Sequence, residues 1–219
     1  MDYLPCEMVE TSDNISAAVI WLHGLGASGH DFVPIIPRLT IPEALGIRFI
    51  FPHAPPLPVT INNGVVMPAW YDIYAMDMER KIDTPQIMAS SQAIKNLIER
   101  EMENGIASDN IVLAGFSQGG AVAFEAGLSF DKPLAGLMSL SSYFATYKTI
   151  QLHPANKTIP IHIFQGTHDE IVTEPLAKLA EAELIKQNYA PEYKSYPMGH
   201  EVHYQEIEDI SHWLQQVLT

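Results

Sequence analysis

The chain has 219 residues, enough for one ordinary domain with a substantial core, and its 47% apolar and 17% charged composition excludes disordered and fibrous classes. No apolar run approaches the roughly 18–20 residues that a membrane-spanning helix needs. The net charge of −14, from 26 acidic and 12 basic residues without a Lys/Arg cluster, repels phosphate backbones and argues against nucleic acid as a partner.

The beginning, Met1-Asp2-Tyr3-Leu4-Pro5-Cys6-Glu7, has neither the basic nor the apolar region of a secretory signal. Cys6 is the one cysteine and cannot close an internal disulfide, so a cytoplasmic protein is expected. Ala17–Leu22 and residues 47–51 are continuous apolar runs, the pattern of strands buried on both faces. Residues 52–83 then form a long excursion without a clear element. Within it, Asn63-Gly64 between apolar residues signals a tight hairpin. Val59, Ile61, Val65, Val66 and Met67 could form a flap that grips acyl chains or pack against the body.

Thr84 reads as the cap and Pro85 as the first turn of a helix whose face carries Ile87, Ser91, Ile94, Leu97, Ile98 and Met102, and Gly105 ends it. Residues 111–114 read as a strand. Residues 119–128 carry only Glu125 as a charge and read as a helix buried on most sides. Strands at 134–140 and 159–164 follow, then an apolar stripe of Leu176, Leu179, Ala180 and Leu184. A short strand, Glu192–Tyr196, precedes a C-terminal helix with Ile207, Ile210, Leu214, Val217 and Leu218 on one side. The alternation predicts an α/β fold: residues 1–219 as a single domain, with a mostly parallel central sheet and helices on both faces.

Two glycine motifs carry the chemistry. Gly24-Leu25-Gly26-Ala27-Ser28-Gly29 matches the dinucleotide-binding pattern, but the next strand ends in Phe51-Pro52-His53 with no acid to hold a ribose. Pro34 and Pro37 also permit at best a short or interrupted helix after it. The nucleotide reading is therefore rejected. Gly115-Phe116-Ser117-Gln118-Gly119-Gly120 matches G-x-S-x-G between a strand and a helix, the context of a nucleophile elbow with Ser117 at its tip.

A serine hydroxyl needs a base, and the base needs an acid to orient it, in the chain order serine, acid, histidine. Of His168, His200, His203 and His212, His200 falls in a strand-to-helix loop, while His203 and His212 belong to the C-terminal helix. Among the later aspartates, Asp169 directly follows a strand, whereas Asp131 and Asp209 read as solvated. Asp169 could also cap the Glu174 helix. The backbone N–H groups of Leu25 and Gln118 are the expected oxyanion donors. His23 and His53 show no metal-ligand pattern and read as structural, and Cys6 receives no role.

These segments together resemble the bacterial carboxylesterase/acyl-protein thioesterase family, the phospholipase/carboxylesterase branch of the α/β-hydrolases. The resemblance rests on Trp21-Leu22-His23-Gly24-Leu25-Gly26, Phe51-Pro52-His53-Ala54-Pro55 and Met67-Pro68-Ala69-Trp70-Tyr71-Asp72-Ile73. It continues through the Ser117 segment, Gly166-Thr167-His168-Asp169 and Pro197-Met198-Gly199-His200, in order over almost the whole chain. It implies an α/β-hydrolase fold without a separate lid domain and a triad of Ser117, Asp169 and His200. Leu25 and Gln118 would supply the oxyanion hole.

The resemblance also implies cleavage of short- to medium-chain esters or thioesters, acylated proteins among the substrates, without metal or cofactor, and frequent homodimers. Trp70 lines the acyl or alcohol pocket in this reading, or is a core aromatic. Glu170 and Glu201 depart from the family pattern, and carboxylates beside an imidazole favour its charged form, so a base active at slightly higher pH is expected. A lysophospholipase with transient lipid contact, or a non-catalytic binding protein that kept the fold, are the competing expectations.

Overall fold

In the computed structural model, which describes residues 3–78 and 80–218, each apolar run has become a strand. The first half of the chain forms β1 (Cys6–Glu10), β2 (Ala17–Leu22), β3 (Ile47–Pro52), β4 (Pro56–Val59), β5 (Val65–Pro68) and α1 (Thr84–Glu103). The second half forms β6 (Ile111–Phe116), α2 (Gln118–Leu128), β7 (Gly136–Leu140), β8 (Ile161–Gly166), α3 (Glu174–Lys186), β9 (Glu192–Tyr196) and α4 (Tyr204–Val217). Seven strands make one sheet in the order β1-β3-β2-β6-β7-β8-β9. Every neighbouring pair is parallel except β1 with β3.

Alternate residues of each central strand enter opposite core layers, which is why these strands read as uninterrupted apolar runs. Ile20, Leu22, Leu113, Leu137 and Ile163 face the layer covered by α1, α2 and α3. Val19, Trp21, Phe49, Ala114 and Phe164 face the layer covered by α4 and the turns around Ile35 and Ile36. The order reverses at β2, so the loops after β2 and β6 meet at the sheet's carboxyl edge, where open α/β sheets place their ligand sites.

β1 was not legible as a strand. Its apolar residues are interrupted by Glu7 and Glu10, as befits an edge strand, and present no buried run. After Gly29 the chain makes two short 3₁₀ turns, Gly29–Asp31 and Val33–Arg38, the interrupted helix that Pro34 and Pro37 allow. The cap of α1 is Asp83, whose side chain accepts the Gln86 N–H, with Thr84 and Pro85 as the first helical residues. The excursion contains the β4–β5 hairpin. Its turn carries Asn63 and Gly64 with φ of 56° and 75°, the left-handed region that Asn-Gly accommodates. Val59 is buried and Ile61 half-buried, whereas Val65 and Val66 face outward, so one side of the hairpin packs while its tip stays exposed.

Candidate active site

Ser117 stands between β6 and α2 with φ 53° and ψ −120°, a strained conformation for a residue with a side chain. The turn closes because its flanks are bare. A Cβ at Gly115 would lie 2.4 Å from the Gly119 carbonyl, and one at Gly119 would lie 2.6 Å from the His23 carbonyl oxygen. The Ser142 hydroxyl donates to the Ser117 carbonyl at 2.5 Å, bracing the turn from the end of β7. Helix α2 begins at Gln118 and directs its N-terminal dipole toward the serine.

A hydrogen-bonded chain extends from the Ser117 hydroxyl. His200 Nε2 lies 2.9 Å from Ser117 Oγ, and His200 Nδ1 lies 2.7 Å from Asp169 Oδ2. The carboxylate can only accept, so Nδ1 carries the proton and Nε2 is free to accept from the hydroxyl. Asp169 Oδ1 accepts the N–H groups of Ile171 and Val172 at 2.9 and 2.8 Å. Burial pushes the Asp169 carboxyl up, but the His200 hydrogen bond and charge, with those two donors, hold it below the usual aspartate range. The loops carrying acid and histidine are laced together: His168 N–H donates to the Met198 carbonyl at 3.0 Å and Thr167 N–H to that of Tyr196 at 2.9 Å. The Phe116 ring, 4.7 Å from the imidazole between centroids, backs His200. His203 caps α4, and Asp209 pairs with Lys194 and Tyr196, away from the serine.

Among the described residues, the N–H groups of Leu25 and Gln118 have no acceptor, while Gly26 N–H donates to the Pro68 carbonyl at 2.8 Å and fixes the loop. His23 is buried, donates Nδ1–H to the Gly24 carbonyl at 2.7 Å and accepts the Ala54 N–H at 3.1 Å on Nε2. Burial lowers its pKa, keeping it neutral in this bracing role. Trp70 is buried behind the loop and is not on the cavity wall. Its indole N–H donates to the His23 carbonyl at 2.8 Å. Sequence reasoning missed the Gln118 side chain, which binds both Trp70 N–H and the Tyr71 carbonyl, and Ser142. The one available signal for Ser142 was its place two residues after a strand, at the same edge as Ser117.

A cavity of about 580 Å³ opens over Ser117. One side continues the first core layer through Ile61, Ile73, Tyr143 and Val172, and the other continues the second through Phe32, Ile35 and Ile207. Glu170 and Glu201 are both exposed, and Glu201 reaches the cavity. Away from it, Glu7, His30 and His53 bring their ligand atoms within 4.8 Å of one another. The Gly29 N–H donates to His53 Nδ1 at 3.2 Å, which leaves the proton on Nε2 to donate to Glu7 at 3.1 Å. The lone pair a metal needs is thus missing from Nε2, and the trio acts as a clamp between β1 and the loop after β2.

The phospholipase/carboxylesterase family model matches residues 5–218. Acyl-protein thioesterase 1 of Neurospora crassa is 36% identical over 214 residues, covering 93% of this chain and 87% of that protein. Acyl-protein thioesterase 1 of Gibberella zeae is 36% identical over 215 residues, with 93% and 91% covered. These relatives are fungal, where the sequence resemblance was framed as bacterial. Arabidopsis thaliana SOBER1 superposes with a TM-score of 0.87 at 30% identity, covering 93% of this chain and 99% of that one. Zea mays acyl-protein thioesterase 2, at 24% identity and a TM-score of 0.87 over 99% and 100% of the two chains, shares the fold. With a matching model over nearly its full length, an α/β-hydrolase sheet and relatives of this likeness, the chain belongs to the phospholipase/carboxylesterase family and is a hydrolase of esters or thioesters.

Proposed function

We propose that the protein cleaves short- to medium-chain carboxylic esters or thioesters through an acyl-enzyme on Ser117. The carrying observation is the continuous hydrogen-bonded chain from Ser117 through His200 to Asp169. Ser117 Oγ attacks the acyl carbonyl while His200 Nε2 takes the hydroxyl proton, and Asp169 holds the ring and offsets its positive charge. The Leu25 and Gln118 N–H groups receive the oxyanion, each worth about 3–4 kcal/mol of transition-state stabilisation. His200 then protonates the departing alkoxide or thiolate, and a water activated by the same ring releases the acid. Trp70 acts through His23 as a positioning residue. The fold of all strands but the β4–β5 hairpin into one sheet supports a single domain.

The acyl-protein thioesterase relatives support acylated proteins as substrates. A lysophospholipase reading draws on exposed Met76 and Ile171, which line the cavity and could meet lipid. The charge of −14 opposes approach to anionic membranes. A fluorophosphonate probe tests the mechanism: it should label wild type stoichiometrically and leave Ser117→Ala unlabelled. p-Nitrophenyl esters and acyl thioesters of increasing length then measure the pocket, with Ser117→Ala expected to lose at least ~10⁴-fold in kcat. Folded wild-type protein that neither labels nor turns over any ester would sink the reading.

A further inference from the structure

Arg80 lines the same cavity, and its surroundings do not suit a cation. The residue is 5% exposed, and its Nε is buried without a partner among the described residues. Among the described residues, its guanidinium touches neutral groups: the Met76 sulfur at 2.5 Å, the Ile171 carbonyl and the face of Tyr143, 5.4 Å from the ring centroid. The two carboxylates on the cavity wall, Asp31 and Glu201, belong to other segments. Asp31 is occupied by the Ser28 N–H and hydroxyl at 2.6 and 2.8 Å. Buried charges in folded proteins are normally paired, because an uncompensated one loses its hydration without recompense.

The arginine is also held there by its backbone. Arg80 adopts φ 46°, the left-handed region that costs a side-chain-bearing residue energy, and its N–H is fixed by Asp77 Oδ1 at 3.0 Å. The chain carries 12 basic residues against 26 acidic ones, so a cation buried among neutral groups is conspicuous. A planar guanidinium with five N–H donors and only two acceptors among the described residues is the side chain best matched to a carboxylate.

We propose that Arg80 makes its side of the cavity an anion pocket, so that the preferred ester or thioester carries a carboxylate several atoms from the scissile carbonyl. This rests on the hydrolase reading of Ser117 and names the substrate class for that site. The carboxylate supplies the ion pair that Arg80 lacks among the described residues, while Ile61, Ile73 and Val172 hold the methylenes between it and Ser117. A plain aliphatic chain of the same length places a methyl group against the guanidinium and leaves the charge unpaired.

The test compares kcat/KM for the p-nitrophenyl monoesters of adipic and suberic acid with p-nitrophenyl heptanoate and nonanoate. Wild type should favour the anionic ester of at least one pair by about tenfold or more, and Arg80→Met should reverse that preference, with Arg80→Lys in between. A carboxylate on the leaving group forms the second arm, using acyl esters of 3-(4-hydroxyphenyl)propionic acid and of its amide. An Arg80-dependent preference in that arm alone places the anion on the alcohol side and also supports the pocket. Binding is read separately from turnover: suberic acid monomethyl ester should raise the Tm of Ser117→Ala and not that of Ser117→Ala combined with Arg80→Met. Neutral esters favoured by wild type in both arms, or one preference shared by wild type and Arg80→Met, overturns the proposal and leaves Ser117 labelling untouched. The wild-type comparison decides even if the Arg80 variants fail to fold.

Discussion

Gln118 Oε1 accepts the backbone N–H of Trp70 at 2.8 Å, and the same amide donates to the Tyr71 carbonyl at 2.6 Å. One side chain at the start of α2 therefore fastens the excursion between β3 and α1 to the residue after the serine. Gln118→Leu keeps the volume and the backbone N–H but strands a buried donor and a buried acceptor, at about 1–3 kcal/mol each. For a chain of this size that is a fall in Tm of roughly 4–24 °C. Thermal melts check the fall, and ester turnover should drop with it as Trp70 releases the His23 carbonyl. An unchanged Tm would mean that the excursion holds without Gln118.

Asp169 makes a different kind of contribution, because its carboxylate fixes which nitrogen of His200 carries the proton. Asp169→Asn presents an amide that can donate to Nδ1 and so favours the opposite tautomer. kcat should fall about 10³–10⁴-fold with circular dichroism unchanged. Because the folded carboxyl is held below the ordinary aspartate value of 3.8, its stabilisation is present above that pH and is lost as pH falls through the lower folded value. The Asn variant should therefore show a shallower acid-unfolding limb as well. A loss of less than tenfold in kcat would assign the acid's role to another residue.

The elbow's close approach is testable at Gly119. An alanine there puts Cβ 2.6 Å from the His23 carbonyl oxygen and 2.7 Å from Leu22 Cβ, so the loop after β2 must move. Gly119→Ala should cost about 1–3 kcal/mol in stability and at least tenfold in kcat/KM. Gly64→Ala is the control: nothing lies within 4 Å of the new Cβ, and left-handed strain at φ 75° costs about 1 kcal/mol. Urea midpoints and ester kinetics on both variants separate crowding at the site from backbone strain.

What could be read from the sequence depended on whether the signal was local. The buried strands declared themselves through unbroken apolar runs, and Ser117 through glycines whose missing side chains the turn needs. Asp169 and His200 were expected from chain order and from their place in loops that follow strands, both consequences of a parallel sheet. β1 escaped because an edge strand is half-exposed and its Glu7 and Glu10 break any run. The hydrogen bonds of the Trp70 indole and the Gln118 side chain were not legible because they join residues 47 or 48 positions apart. Arg80 gave no sign in sequence, since its meaning lies in the neutral groups that surround it among the described residues.

Glu206 supplies a pH dependence of stability independent of catalysis. It is fully buried in the first turn of α4, where Oε2 accepts the His203 N–H at 3.1 Å while Oε1 has no partner among the described residues. Burial, aided by the nearby Asp209 charge and opposed by the His203 hydrogen bond, raises its pKa from 4.5 to about 8. The folded state thus binds a proton that the unfolded chain has released, so the contribution is full below pH 4.5 and is lost as pH rises through about 8. A shift of this size corresponds to something on the order of 3–5 kcal/mol across that window. Between pH 7 and 9 the reading is cleanest, because His23 and His162, both held below 6.5 by burial, are neutral in the fold and mostly neutral in the unfolded chain. Wild type should therefore lose stability from pH 7 to 9, and Glu206→Gln, which keeps the His203 hydrogen bond without the charge, should flatten that slope and be the more stable protein at pH 9. Urea denaturation at pH 5, 7 and 9 measures both; parallel slopes for the two proteins would mean that Glu206 is ionised in the fold at neutral pH.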